Sequence, residues 1–316
     1  MQKIFIVALI LMIAGAAVSV SVMFLADWNF ENFNTGKHET VTHTTLEDFT
    51  GIYIDGITDD VEILKSDDEF CRAVFLEREC MKHTISVNNG ILTIEKKDDS
   101  KWYQKILDFK SDKITLYLPN SVYSSLKIDV TTGDVKLSEG FTFGELDVKV
   151  TTGDIVSLSS AEDSASFKST TGDVTLRDMK AKTLSVSLTT GDLTGSRIDC
   201  NGEFKIETRS GGVLLENIDC GKLKVDKTTG DTELVRVIAE EKMSIECTTG
   251  DVRLERCDSS EVYIKTTTGD VIGSFITDKD VHAHTTTGDI EVPKIPEGGK
   301  CDINTTTGDI KIEIAE

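Results

Sequence analysis

The chain has 316 residues, with 55 acidic against 34 basic side chains and a formal net charge of -21, which argues against nucleic acid as a partner. Hydrophobic residues at 39%, together with 24 glycines, give the apolar content of a folded protein and exclude global disorder. Seven cysteines, an odd number without a Cys-x-x-Cys pair, speak against a zinc knuckle or a dense disulfide scaffold, and five histidines leave few groups for acid–base catalysis.

Residues 1–3 precede an uncharged stretch from Ile4 to Leu25. As a helix rising 1.5 Å per residue it covers the roughly 30 Å hydrocarbon core of a bilayer, so it is read as a transmembrane helix. A cleavable signal peptide carries a shorter apolar stretch, although Ala14, Gly15, Ala16 and Ala17 are small enough to mark a cleavage point. Lys3 before the segment and Asp27 and Glu31 after it place the N-terminus in the cytoplasm and the remaining chain on the extracytoplasmic side. Residues 26–40 form a linker in which Trp28, Phe30 and Phe33 suit an outer membrane interface.

Between residues 41 and 125 the pattern is irregular. The run Ile52 to Val61 aligns with Leu126 to Val135 and reads as a degenerate first coil. Strands follow at 85–87, 92–94 and 114–118, with Asn89-Gly90 as a turn. This region is expected to cap what comes after it. The stretch from Lys101 to Phe109 fits no strand period and reads as an excursion whose aromatic residues Trp102, Tyr103 and Phe109 are contact candidates.

From residue 126 to 316 a Thr-Thr-Gly-Asp element recurs. Its glycines are Gly133, Gly153, Gly172, Gly191, Gly230, Gly250, Gly269, Gly288 and Gly308, and its acids are Asp134, Asp154, Asp173, Asp192, Asp231, Asp251, Asp270, Asp289 and Asp309. Arg209-Ser210-Gly211-Gly212 fills the one gap, and with it every interval is 19 or 20 residues, a spacing typical of stacked repeats. Residues seven, five and three before each glycine alternate apolar with polar at period two, as in Leu126, Ile128 and Val130, and residues two and four after it do so again, as in Val135 and Leu137. A lone apolar residue seven after the glycine, at Met179, Ile198, Ile218, Val237, Cys257, Ile276 and Ile295, closes a third side. The fold class is therefore all-β: a parallel β-solenoid of about ten coils, on the order of 48 Å long at ~4.8 Å per coil. Glycine suits a corner that needs positive φ, and Asp suits a turn amide.

With the opening Phe49-Thr50-Gly51-Ile52-Tyr53-Ile54, the segment Leu116-Tyr117-Leu118-Pro119 and the Thr-Gly-Asp-Val corners, the chain resembles the bacterial "putative adhesin" family of β-strand-repeat proteins, a domain of unknown function, over roughly residues 40–316. The resemblance implies a β-solenoid, often behind an N-terminal membrane segment, and for some members a link to envelope-stress regulation. It implies no catalytic residues and no cofactor.

Against that background the chemistry-bearing residues are few. The nine acids form a ladder with seven neighbouring pairs, each repelling by roughly 0.9 kcal/mol in water at ~4.8 Å, so turn amides or cations must offset about 6 kcal/mol. One carboxylate per coil is a sparse calcium site, and the corners are read as structural turns. His282 and His284, with Asp302 in the neighbouring coil, are the weak metal candidates. Cys200 and Cys220 occupy equivalent places in adjacent coils, within reach of a disulfide, while Cys247 and Cys301 fall on the inward register. A regular threonine face for ice binding is interrupted by charged positions such as Asp147 and Lys149, and a polysaccharide-cleaving β-helix would need long loops that the even intervals lack. The expectation is a non-enzymatic, membrane-anchored, monomeric rod that contacts an envelope protein or polysaccharide, or serves as the regulatory partner of a membrane sensor. The last strand, Ile310 to Ala315, is expected to leave an exposed coil edge.

Overall fold

The computed structural model describes residues 38–78, 81–98 and 112–315, together with Gly15. The transmembrane stretch, the linker aromatics, Cys80 and the candidates Trp102, Tyr103 and Phe109 lie outside the described residues. Among the described residues no helix is long and apolar enough to cross a membrane.

Those residues form one all-β parallel solenoid. Strands preceding successive corners pair in parallel and in register, Leu126 with Leu146, Leu146 with Ala165, Ala165 with Leu184, and onward through Phe204, Leu223, Met243 and Val262. Each inward residue stacks on its equivalent, so the rows expected to be apolar become one continuous core running the length of the rod. The ten glycine corners bound nine complete turns.

The third side is closed as expected at Met179, Ile198, Ile218, Val237 and Cys257, all buried. A second corner precedes each of them. Asp178, Arg197, Asn217, Arg236 and Arg256, one residue earlier, all have φ between 51° and 55°. Their side chains continue the column, with Arg197 clasping Asp178 through two bonds of 2.6 and 2.7 Å and Arg236 donating to Asn217 Oδ1 at 2.6 Å. The pattern fails at Ile276, which is 42% exposed, because a register shift pairs Cys257 with Phe275 and Phe275 fills the core instead. Ile295 is only half-buried.

Both ends depart from simple chain order. At the N-terminal end the strands are β1 (His38–Thr45), β2 (Gly51–Lys65), β3 (Cys71–Arg78), β4 (Met81–Asn88), β5 (Ile91–Asp98) and β6 (Asp112–Leu118). The degenerate first coil is β2, with Ile52 paired to Leu126 and Val61 to Val135 as the alignment requires. On its other face β2 pairs in parallel with β5 and β6, which form a further coil outside it. Antiparallel β4, β3 and β1 then cover that coil and end the parallel stack.

At the C-terminal end the sequence expectation is overturned. The strand Gly299–Thr307 pairs with Val252–Thr268 on one side and Lys279–Thr287 on the other, and Ile310–Ile314 lies between Val271–Phe275 and Ile290–Glu291. The Gly308 coil is thus inserted between the Gly269 and Gly288 coils. Ile310 is 1% exposed, while its equivalent Ile290 is 45% exposed. The free edge belongs to the Gly288 coil, whose third side carries Pro293 and Pro296 and so offers fewer N–H groups to a further strand.

Candidate functional site

At each corner the glycine has φ between 118° and 147°. A methyl group placed on any of the ten would stand 1.9–2.2 Å from a carbonyl oxygen of the preceding layer, so the stack admits glycine alone. The acid that follows is held by the backbone. Asp154 N–H donates to Asp134 Oδ1 at 2.9 Å, and the same bond recurs up the rod at 2.7–3.0 Å, through Asp309 onto Asp270 and Asp289 onto Asp309 in the inserted order. Those eight carboxylate–amide bonds, each worth about 1.5–3 kcal/mol, outweigh the ladder's repulsion of about 6 kcal/mol. Asp60 of β2 extends the ladder by accepting from Asp134 N–H at 3.0 Å.

A second row, three residues before the glycine, closes the corner from inside. Ser169, Thr266, Thr285 and Thr305 turn their hydroxyls to corner glycine carbonyls at 3.0–3.5 Å. At the variant Arg209-Ser210-Gly211-Gly212 both rows change. Gly212 supplies no carboxylate, and in the next coil Lys227 takes the inner position and donates to the Asp231 carbonyl. Burial lowers the Lys227 ammonium pKa. The Thr208 and Thr232 hydroxyls nearby are buried without a partner. Around this interruption a shallow groove of about 590 Å³ crosses five coils, floored by Thr208, Lys227 and Cys247 and edged by Arg209. At ~4.8 Å per layer it is about 19 Å long.

The three metal candidates do share one depression, at the open end of the rod. Asp302 sits in register beside His282, as expected. Its carboxylate, however, binds Lys300 at 2.6 Å, and His282 Nε2 faces Asp280 at 3.4 Å. No three potential metal ligands converge among the described residues. Cys200 and Cys220 are in register and buried as free thiols, and burial pushes Cys220 up to about 12. Cys247 and Cys301 are buried as expected.

Sequence reasoning missed a buried charge cluster in the cap, where five side chains come from five different strands. His83 Nδ1 lies 2.9 Å from Glu77 and Nε2 3.0 Å from Asp59, an arrangement satisfied when both nitrogens donate. Lys96 Nζ binds Asp59 at 2.8 Å and Asp112 at 2.6 Å. Phe75 stacks on the His83 ring at 4.7 Å. Burial raises the Asp59 carboxyl, but the bonds from His83 and Lys96 more than reverse this and hold it below the usual value. The available signal was Asp59-Asp60 standing where later coils have Gly-Asp.

The family defined as Toastrack DUF4097 matches residues 49–231 and 196–316, which together span the capped solenoid. The chain belongs to the Toastrack family. No curated protein matches it. Among solved structures, this Toastrack chain is similar to a "putative adhesin" from Bacteroides fragilis at 14% identity, covering 87% of this chain and 97% of that one with a TM-score of 0.42. A "putative adhesin" from Parabacteroides distasonis gives 10%, 88%, 98% and 0.48. A "putative lipid binding protein" from the same species gives 13%, 88%, 98% and 0.44.

Proposed function

We propose that this Toastrack chain is a non-enzymatic, membrane-anchored rod of the cell envelope, standing on the extracytoplasmic side and acting adhesin-like through surface contacts with an envelope protein or polysaccharide. The observation that carries this reading is the evenness of the stack. Over nine turns no corner interval departs from 19 or 20 residues, so the rod carries no long loops to gather a catalytic cleft and presents rows of side chains and an open groove. Repeated surfaces of that kind suit extended partners.

The test has two steps. Protease added to intact cells should digest the solenoid and leave a membrane fragment containing Ile4 to Leu25; digestion only after lysis would refute the placement. The purified full-length chain should then bind isolated envelope material, and Arg209→Glu in the groove should weaken that binding at least fivefold. Retention unchanged by Arg209→Glu would move the contact away from the groove. A second reading, the regulatory partner of an envelope-stress sensor, is favoured by the gathering of irregular loops at the capped end of the rod, which residues 38–125 build. Crosslinks confined to residues 38–125 would support it over adhesion along the rod.

A further inference from the structure

The connections 46–50, 66–70 and 119–122 come together at one edge of the cap and enclose a pocket of about 700 Å³. Its wall includes Leu46, Phe49, Phe70 and Tyr123, with the Phe49 and Tyr123 rings 6.0 Å apart. Leu46 is 78% exposed and Phe70 47%, and Val122, between two lining residues, is 77% exposed. Two of the eight large apolar side chains left exposed among the described residues therefore line this one pocket, and a third, Val122, stands next to it in the chain. Solvent-facing apolar groups gathered around a concavity mark contact surfaces.

The charge on the rim says what fits. Glu47, Asp48, Asp67, Asp68 and Glu69 all line the pocket, and no lysine, arginine or histidine does. Asp68 is occupied by Arg72. The other four carboxylates make no ion pair among the described residues. Along the rod, by contrast, several acids are matched by bases of adjacent coils, as in Lys149–Asp129, Arg197–Asp178, Lys222–Glu241 and Lys242–Glu261. An incoming cation complements the acidic rim, and a large apolar group covers the exposed Leu46 and Phe70 side chains.

We infer that this pocket is a docking site for a basic, apolar segment of a partner polypeptide, one in which lysines or arginines flank leucine or phenylalanine. The inference rests on the reading of the chain as a contact-making protein and names a partner chemistry for its cap. The rim carboxylates would hold the flanking cations while the apolar residue displaces water from Leu46, Phe49 and Phe70.

Fluorescence anisotropy with the full-length chain in an uncharged detergent tests it, using a labelled Lys-Lys-Leu-Phe-Lys-Lys peptide. Saturable binding that weakens with salt is expected. The double variant Asp67→Lys, Glu69→Lys should weaken it at least tenfold and Phe70→Ser at least threefold, while Glu162→Lys with Asp163→Lys, an equal charge change on the rod away from its groove, should alter it less than twofold. All these positions are solvent-accessible, and unchanged circular dichroism confirms folding. Equal weakening by the two double variants, equal affinity for a lysine-only peptide, or no saturable binding of the Lys-Lys-Leu-Phe-Lys-Lys peptide would each overturn the assignment. Envelope binding that survives the Asp67 and Glu69 changes would leave the rod's proposed function standing on its own.

Discussion

Two adjacent glycines in the variant corner should respond in opposite directions to the same substitution. At Gly211 φ is 141°, and a methyl group would stand 2.0 Å from the Gly191 carbonyl oxygen. Gly211→Ala therefore incurs about 1–3 kcal/mol of backbone strain. Relieving the overlap moves the layer by about 1 Å or more, since non-bonded carbon contacts sit near 3.5 Å. Such a shift breaks the Gly211 N–H bond to the Thr229 carbonyl at 3.1 Å and the Gly212 N–H bond to Asp192 Oδ1 at 2.7 Å. With about 1 kcal/mol for the first and about 1.5–3 for the second, the total loss is roughly 3–7 kcal/mol. At Gly212 the nearest atom to an added methyl is Asp192 Oδ1 at 3.5 Å, which is ordinary contact, and φ is not positive. Gly212→Ala should stabilise by about 0.4–1 kcal/mol through the unfolded chain. Urea unfolding followed by circular dichroism, with hydrogen exchange of the Gly191 to Gly230 coils, measures both. Equal shifts for the pair, or a Gly211→Ala loss below about 0.5 kcal/mol, would refute the steric account of the corner.

Lys96→Met leaves Asp59 and Asp112 buried without their shared cation, and should cost about 3–5 kcal/mol, read as faster hydrogen exchange in β2 to β6 with the distal coils unaffected. Because the Asp59 pKa is depressed in the folded state, its contribution is present above the ordinary carboxylate value and is lost as pH falls through the folded value. Acid should therefore loosen the cap before the rod, and simultaneous loss of both would contradict this. Deleting residues 299–316 removes the inserted coil and should expose the Gly269 and Gly288 coils to protease together; a truncated chain that keeps Lys279–Thr287 protected would show that this strand does not depend on Gly299–Thr307.

The turns were legible because their two signals, period-two burial and the glycine corner, are local and recur along the rod from Gly133 to Gly308. Stacking order is a property of pairs, and the corners at Gly269, Gly288 and Gly308 are too alike to reveal which neighbours which. The differences that do set the order lie on the third side, where Pro293 and Pro296 suit an outer layer and Phe275 displaces Ile276 from the core. The cap cluster was hidden for another reason. Asp59, His83 and Lys96 are residue types normally left in water, and only their meeting across strands far apart in sequence makes burial tolerable. The second corner escaped notice because its residues, Asp178, Arg197, Asn217, Arg236 and Arg256, share a backbone conformation rather than a side-chain type.

The interleaved coils change how such a rod bears load. In a simple stack the outermost strand has one hydrogen-bonded flank and peels away like a zipper when tension is applied to the chain that leads into it. Here Ile310–Ile314 is gripped on two flanks, as is β2 at the other end. Tension entering through Ile310–Ile314 must shear two rows of bonds at once instead of opening one row bond by bond, whereas a pull entering through β1, whose one pairing among the described residues is with β3, opens a single row.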